Sequence, residues 1–523
     1  MDTNRKMPVG IQDFEDLRTR NFLYVDKTEY VYRMVTQGKP YFLGRPRRFG
    51  KSLLLSTLRA YFEGRKDLFE GLAIAELEKD WIEYPVIYLD FNVGLLINAT
   101  NVAERLSVKI TEMEDLWGKK TDTGDLAGRF EAVIKSAYEQ TGRKVVVLVD
   151  EYDKPLISTM EDRTSNDEIR TLLKSFYGVL KSADQYLRFV FLTGVTKFSK
   201  VSIFSDLNQL IDISLDKRFS GICGITQAEL EENFVPEITE LSGAYKTSYE
   251  ETLAALKKRY NGYHFSENLE GVYNPFSLLN TFNSQTYRYY WFATGTPTFL
   301  VKALRNQNYD ICKFDNDVQI AANSVMDYRF ENQDLVPLLY QSGYLTIKSY
   351  DNILDEYTLG FPNEEVKYGF LNELLPAFVL TPIATGKFSV TAFLRQLMKD
   401  DVESFMISLQ SFFAAIPYDD IKLEHRDEQY YQHVFYLLFT LMGQFVQTEV
   451  KSSKGRADAI VKTANSIYVF EFKMDDSATA EDALAQINSK DYAIPYSADH
   501  RNLVKIGVEF SQKEKGVKRW ITQ

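Results

Sequence analysis

The sequence predicts a multidomain α/β protein. An N-terminal α/β sheet domain occupies residues 1–225, a mainly helical connector or lid 226–400, and an αβββαβ domain 401–523. Three observations carry this prediction. Gly50-Lys51-Ser52 has the form of a phosphate-binding loop; Val145–Glu151 is an unbroken apolar run closed by two carboxylates; and Glu428–Phe510 alternates helical and strand patterns around an Asp…Glu-x-Lys set. With 523 residues, 45% of them hydrophobic and 26% charged, the chain can bury more than one core. Domains of roughly 100–200 residues then suggest about three.

The first element is the loop. Tyr41-Phe42-Leu43 reads as a short buried strand and Ser52–Phe62 as a helix, so Arg45-Pro46-Arg47-Arg48-Phe49-Gly50-Lys51-Ser52 is a strand-to-helix turn. Backbone N–H groups at such a helix start face phosphates, a lysine reaches the β and γ groups, and a hydroxyl holds Mg²⁺. Lys51 and Ser52 fill the last two roles, while Arg47, Arg48, Phe49 and Gly50 line the loop. The expected ligand is ATP with Mg²⁺. One departure stands out: Arg45 occupies the position where the general pattern has its first glycine, and Gly44 comes one place too early.

Next comes Val145-Val146-Val147-Leu148-Val149-Asp150-Glu151. A strand buried on both faces has this continuous hydrophobicity, and its C-terminal end is where ligands bind in open α/β sheets. Asp150 is the expected Mg²⁺ partner, and Glu151 the group that orients or deprotonates the attacking water. A further strand, Arg188–Thr193, ends in a polar residue suited to sensing the γ-phosphate; Thr193 is the candidate, with Lys197 and Arg218 behind it. An arginine supplied by a neighbouring subunit would require an oligomer, and Arg218 could serve.

Residues 226–400 carry no nameable chemistry. Thr226-Gln227-Ala228-Glu229-Leu230 looks like a helix start. Tyr260-Asn261-Gly262-Tyr263-His264-Phe265 and Tyr273-Asn274-Pro275-Phe276-Ser277 are dense in polar and aromatic residues, which turns explain equally well.

In the last third, Glu428–Met442 reads as an aromatic-rich helix and Phe445–Val450, Arg456–Lys462 and Ile467–Lys473 as strands. Ala483–Lys490 reads as a helix and Val504–Phe510 as a final strand. Residues two apart on a strand share a face, so Glu471 and Lys473 point together while Phe472 turns to the apolar side. If the neighbouring strand brings Asp458 alongside, two carboxylates form an oxygen site for Mg²⁺ or Mn²⁺. Glu428 can add a ligand, Lys473 can stabilise developing charge, and Gln486 can orient water or phosphate. Such a set suits phosphodiester cleavage.

Composition narrows the classes. The net charge of −12 argues against nonspecific coating of nucleic acid through bulk electrostatics. Residues 401–523 hold 14 Lys and Arg against 18 Asp and Glu, and the basic Lys513, Lys515, Lys518 and Arg519 read as a solvated tail. No run approaches the roughly 18 apolar residues a membrane span needs, and no apolar leader follows Met1, so a cytoplasmic protein without membrane contact is expected. Cys223 and Cys312 are too few for a disulfide framework or a thiolate metal site, and His264, His425, His433 and His500 show no metal-ligand spacing, so a zinc site is not expected. The 33 Tyr and 36 Phe, scattered through apolar patterns, read as core.

Four N-terminal segments carry a family resemblance: Val9-Gly10-Ile11-Gln12-Asp13-Phe14, Tyr24-Val25-Asp26-Lys27-Thr28, the Arg45–Ser52 string and Asp150-Glu151-Tyr152-Asp153. Together they resemble the bacterial AAA-ATPase-like family, whose own loop form includes the arginine at position 45. Glu428-Gln429-Tyr430-Tyr431-Gln432, Gly455-Arg456-Ala457-Asp458 and Glu471-Phe472-Lys473 look like the PD-(D/E)XK nuclease superfamily domain that usually follows it. The resemblance implies a P-loop NTPase module and a restriction-endonuclease-like fold, and supplies no substrate. Two readings follow: an ATPase coupled to a metal-dependent nuclease acting on DNA or RNA, and a nucleotide-operated switch whose C-terminal domain binds nucleic acid or protein without cutting it.

Overall fold

The structure is a computed structural model. It describes the chain apart from residues 1–4, 93, 95, 119–123, 198–208, 293–297, 308, 328–333, 380–388, 417–427, 451–457, 512 and 515. Two compact units result, one from Met1–Thr294 with Asn316–Val366 and the other from Gly295–Asp315 with Lys367–Gln523. Residues 226–400 contribute to both. No helix of the described residues is long and apolar enough to cross a membrane.

The first unit is organised by β1 (Tyr41–Gly44), β2 (Val86–Asp90), β3 (Val145–Asp150), β4 (Leu187–Gly194) and β5 (Ile211–Asp212). They form a parallel sheet in the order β2-β3-β4-β1-β5. Every residue of β3 is buried, as its unbroken valine run requires of a strand covered on both faces. The helices Ala99–Trp117, Leu126–Thr141 and Arg163–Ser182 begin at Asn98, Asp125 and Asp162, whose side chains accept from first-turn N–H groups. Phe130 and Phe176 stack between two of these helices, 4.6 Å apart. Because β4 lies between β1 and β3, its C-terminal end separates the phosphate loop from the paired carboxylates.

Beyond the sheet, Thr226 opens the helix Gln227–Asn233 with a capping box to Glu229, as the helix-start pattern predicts. That helix packs with Val235–Tyr245, Tyr249–Tyr260 and Pro275–Ser284 around Leu230, Phe234, Ile238, Leu256 and Phe282. The mainly helical reading omitted two small antiparallel sheets: β6 (Ile225–Thr226), β7 (Tyr263–His264) and β8 (Gly271–Tyr273), then β9 (Val318–Ala321), β10 (Thr346–Asp351) and β11 (Glu356–Gly360). Strands this short carry too little alternation to register as a period.

The second unit is built on β12 (Gln447–Val450), β13 (Ala459–Lys462), β14 (Ser466–Met474), β15 (Asn502–Ser511) and β16 (Gly516–Thr522), adjacent in that order. Only β14 and β15 run parallel, joined across the helix Ala480–Ser489. The predicted αβββαβ order is present, and β16 is an addition: Lys518 and Arg519 do not lie on a solvated tail but on a strand paired with β15. Lys518 bonds Glu509 at 2.6 Å and Arg519 bonds Glu481 at 2.5 Å, so each of these cations has an acidic partner. The adjacent exposed cations Lys518 and Arg519 break the period-2 alternation that marks a strand, which is what hid it.

Phe472 turns away from Glu471 and packs on Phe435 of the helix Glu428–Met442, with ring centroids 3.8 Å apart, and on Phe510 at 5.6 Å. On β15, Gly507 lies beside Glu471 in the register. A methyl there would sit 2.3 Å from the Ala480 carbonyl and 2.7 Å from the Leu484 nitrogen. Glycine therefore lets the helix Ala480–Ser489 seat directly over the strand pair, which carries Gln486 to Glu471.

Candidate functional site

The phosphate loop opens onto a cavity of about 530 Å³. Arg47, Arg48, Phe49, Gly50, Lys51 and Ser52 all line it, as does Glu151. Gly50 adopts φ +91°, the left-handed conformation that glycine tolerates, and provides no capping side chain to the helix Lys51–Phe62. The first-turn N–H groups of that helix are thus left to an anion. Arg48 holds φ +70° and stacks over Phe276 at 4.4 Å. Phe49 is buried edge-on against Tyr263 and Phe265.

Arg45 explains the departure from the general loop pattern. Its side chain is 1% exposed and donates to the carbonyls of Gly44 (2.9 Å), Ser214 (2.7 Å) and Phe219 (3.2 Å), with the guanidinium 4.1 Å from the Phe265 ring. The arginine points inward and braces the loop from behind. Lys51 is 5% exposed, and its Nζ donates to the carbonyls of Arg45 and Pro46 at 2.9 and 3.0 Å. Burial pulls the pKa of its ammonium down, against the field of Glu151, Asp150 and Asp153, which favours the charge.

Asp150 and Thr193 are buried and do not line the cavity. The Thr193 hydroxyl donates to Asp150 Oδ1 at 2.8 Å, and the Glu151 N–H donates to the same oxygen at 3.0 Å. The end of β4 therefore fixes Asp150, and Glu151, at φ +48°, turns toward the cavity. Asp153 accepts from the N–H groups of Val195 and Thr196, and burial raises its carboxyl to about 6. A side chain at Gly194 would meet Asp153 Oδ1 at 2.5 Å, so glycine is required there. Lys197 pairs with Asp212 at 2.6 Å and Arg218 with Asp216 at 2.6 Å; neither lines the cavity.

In the second unit four of the expected residues converge. Asp458, directly before β13, accepts from the Phe472 N–H at 2.8 Å through Oδ2. Glu471 is 2% exposed; its Oε1 accepts from Lys473 Nζ at 3.1 Å and from the Gln486 amide. Glu471 Oε2 is buried with no hydrogen-bond partner among the described residues. Burial raises the Glu471 carboxyl against the pull of Lys473. A buried, acceptor-only oxygen, with Asp458 held on the neighbouring residue Phe472, fits a divalent cation of the Mg²⁺ or Mn²⁺ type. Glu428 opens its helix as expected, with its side chain outside the described residues, as are Gly455, Arg456 and Ala457.

Two families match the chain: "Predicted AAA-ATPase" over residues 8–204 and "PD-(D/E)XK nuclease superfamily" over 426–520. A protein of Azotobacter chroococcum mcd 1, described as "Uncharacterized protein in vnfD 5'region", is 37% identical over 529 residues, spanning 100% of this chain and 99% of that one. The chain belongs to the AAA-ATPase-like family with a C-terminal PD-(D/E)XK domain. It thus joins a nucleotide-binding module to a nuclease-like one.

Sequence reading missed part of the cavity of this AAA-ATPase-like protein. Gly10, Ile11 and Gln12 line it, so the opening segment of the family resemblance is pocket wall. Asp90 at the end of β2, Lys154, Pro275 and Phe276 also face it. The density of aromatic and polar residues at 273–276 was the available signal; turn chemistry gave the same signal.

Behind Phe276 lies Glu365, fully buried, whose Oε1 accepts from the Ser277 hydroxyl and the Trp291 N–H, both at 2.9 Å. The Trp291 indole in turn donates to the Arg47 carbonyl at 3.2 Å. Burial raises the Glu365 carboxyl from 4.5 to about 7, against those two donors. Folded pKa above unfolded pKa means that its contribution is complete below about 4.5 and is lost as pH rises through about 7. Glu365→Gln keeps the acceptor and removes the ionisation. The variant should gain on the wild type by roughly 3 kcal/mol between pH 4.5 and 8. Thermal denaturation across that range checks this; a constant difference between the two proteins would refute it.

Proposed function

We propose that this protein binds and hydrolyses ATP and that the nucleotide state gates metal-dependent phosphodiester cleavage of DNA or RNA by the C-terminal domain. The observation that carries the cleavage half is the buried Glu471 carboxylate, with one oxygen unbonded among the described residues and Lys473 and Gln486 fixed on the other. Asp458, Glu471 and Glu428 would hold the cation. When bound, that ion polarises the phosphate and makes a nearby water more acidic. Lys473 supplies positive charge where the phosphate becomes more negative, and Gln486 positions water or phosphate.

For the nucleotide, the loop N–H groups, Arg47, Arg48 and Lys51 take the phosphates, Ser52 would hold Mg²⁺, and Asp150 would hold the ion's hydration shell. Glu151 orients the attacking water and accepts its proton. Thr193 acts through the bond that sets Asp150, as a positioning residue between the loop strand and the carboxylates.

One observation favours the alternative reading, a nucleotide-operated switch that binds nucleic acid or protein without cutting. Lys518 and Arg519 each have an acidic partner, Glu509 and Glu481, which leaves less positive charge for a phosphate backbone. The full chain with Mg²⁺ or Mn²⁺, with and without ATP, should cleave at least one of single- or double-stranded DNA or RNA. ATP binding without cleavage under either metal would favour the switch.

A further inference from the structure

The second unit holds a cluster of different chemistry from the Asp458–Glu471 pair. Asp310, Cys312 and His433 place one carboxylate oxygen, one thiol sulfur and one imidazole nitrogen within 4.8 Å of one another. We propose that these three residues bind a zinc-type transition metal, which fastens the segment Gly295–Asp315 to the helix Glu428–Met442.

The donors come from two distant stretches that the fold brings together. Asp310 caps the 3₁₀ turn Ile311–Phe314, its Oδ1 accepting from the Cys312 N–H at 3.2 Å, so the carboxylate and the thiol belong to one rigid turn. His433 projects from the facing helix with 1% exposure, its Nε2 3.5 Å from Asp310 Oδ1 and its ring edge-on to Phe378 at 5.8 Å. The same two stretches are tied one turn along, where the Tyr436 hydroxyl donates to Asp315 Oδ2 at 2.7 Å; Lys367 holds the other Asp315 oxygen at 2.6 Å. This tie between Tyr436 and Asp315 limits how far the donors can separate.

Donor chemistry selects the ion. Sulfur, imidazole nitrogen and carboxylate oxygen together suit Zn²⁺ and disfavour Mg²⁺, which prefers an all-oxygen shell. Tetrahedral coordination at about 2.0–2.3 Å sets ligand atoms roughly 3.3–3.8 Å apart. The Asp310–His433 pair is already at 3.5 Å, and a small contraction of the thiol completes the set. Three protein donors leave a fourth position for water. No spacing rule exposes the site, because Cys312 and His433 lie in separate segments. This inference is independent of the proposed nuclease chemistry.

The test is metal content of the purified full-length protein, by elemental mass spectrometry after expression in zinc-supplemented medium. About one zinc per chain is expected. Cys312→Ser and His433→Gln should fall to background, and Glu471→Gln should keep its zinc. After loading with Co²⁺, the wild type should show a thiolate-to-cobalt charge-transfer band that Cys312→Ser lacks. His433 is buried and its variant can misfold, so the isosteric change at half-buried Cys312 decides the matter. No zinc and no cobalt–thiolate band in the folded wild type, or full zinc in Cys312→Ser, would overturn the proposal.

Discussion

Lys51→Ala is expected to weaken ATP binding by at least about 100-fold, and Glu151→Gln to leave binding intact while slowing hydrolysis by a similar or larger factor. The two expectations have different physical origins. Lys51 is a cation inside a cavity whose nearest charged groups are Glu151, Asp150 and Asp153. Without it, a triphosphate would meet Glu151 in the cavity wall with the loop N–H groups, Arg47, Arg48, Lys27 and Lys154 in compensation. A single charge pair at an effective dielectric of about 20 is worth roughly 3–4 kcal/mol, which accounts for the size of the loss. Glu151 lines the cavity in a conformation that costs a non-glycine residue energy, and such strain is characteristic of functional positions. Its amide isostere retains the shape and loses the proton acceptor. Titration with a fluorescent ATP analogue measures the first effect and phosphate release the second. Undiminished turnover in both variants would remove both residues from the proposed mechanism.

Glu471→Gln should reduce metal-dependent cleavage by at least about 100-fold without lowering stability. The wild-type carboxyl is disfavoured by burial, so a neutral isostere relieves that penalty while the oxygen still accepts from Lys473 and Gln486. Opposite movement of activity and stability separates a chemical role from a structural one. Lys473→Ala should likewise lower cleavage, and it leaves the buried carboxylate without its cation, so stability should fall as well. Cleavage assays alongside thermal denaturation of the same preparations read out both quantities. Equal cleavage by wild type and Glu471→Gln would exclude Glu471 from the reaction.

What the sequence disclosed divides by the range of the interactions involved. The β1 to Ser52 turn, the valine run into Asp150 and the Glu471-x-Lys473 face are local patterns with a backbone period behind them, and the folded chain contains each. The inward course of Arg45 was not legible, because its acceptors at Ser214 and Phe219 are far along the chain. The Glu365 bracket with Ser277 and Trp291, and the Asp310–Cys312–His433 cluster, have the same origin: each joins segments that no local rule relates. β16 escaped for another reason, since Lys518 and Arg519 read as solvated charge until their acidic partners on neighbouring elements are known.

Arg45 changes how the nucleotide loop should be understood. Where the general pattern has a glycine, here a guanidinium anchored to three main-chain oxygens braces the curvature of the loop. Consensus scoring would count that arginine as a defect. In energetic terms it is a keystone: three buried hydrogen bonds hold the loop's shape within the fold itself, and a receptor already in shape loses less ordering entropy on binding.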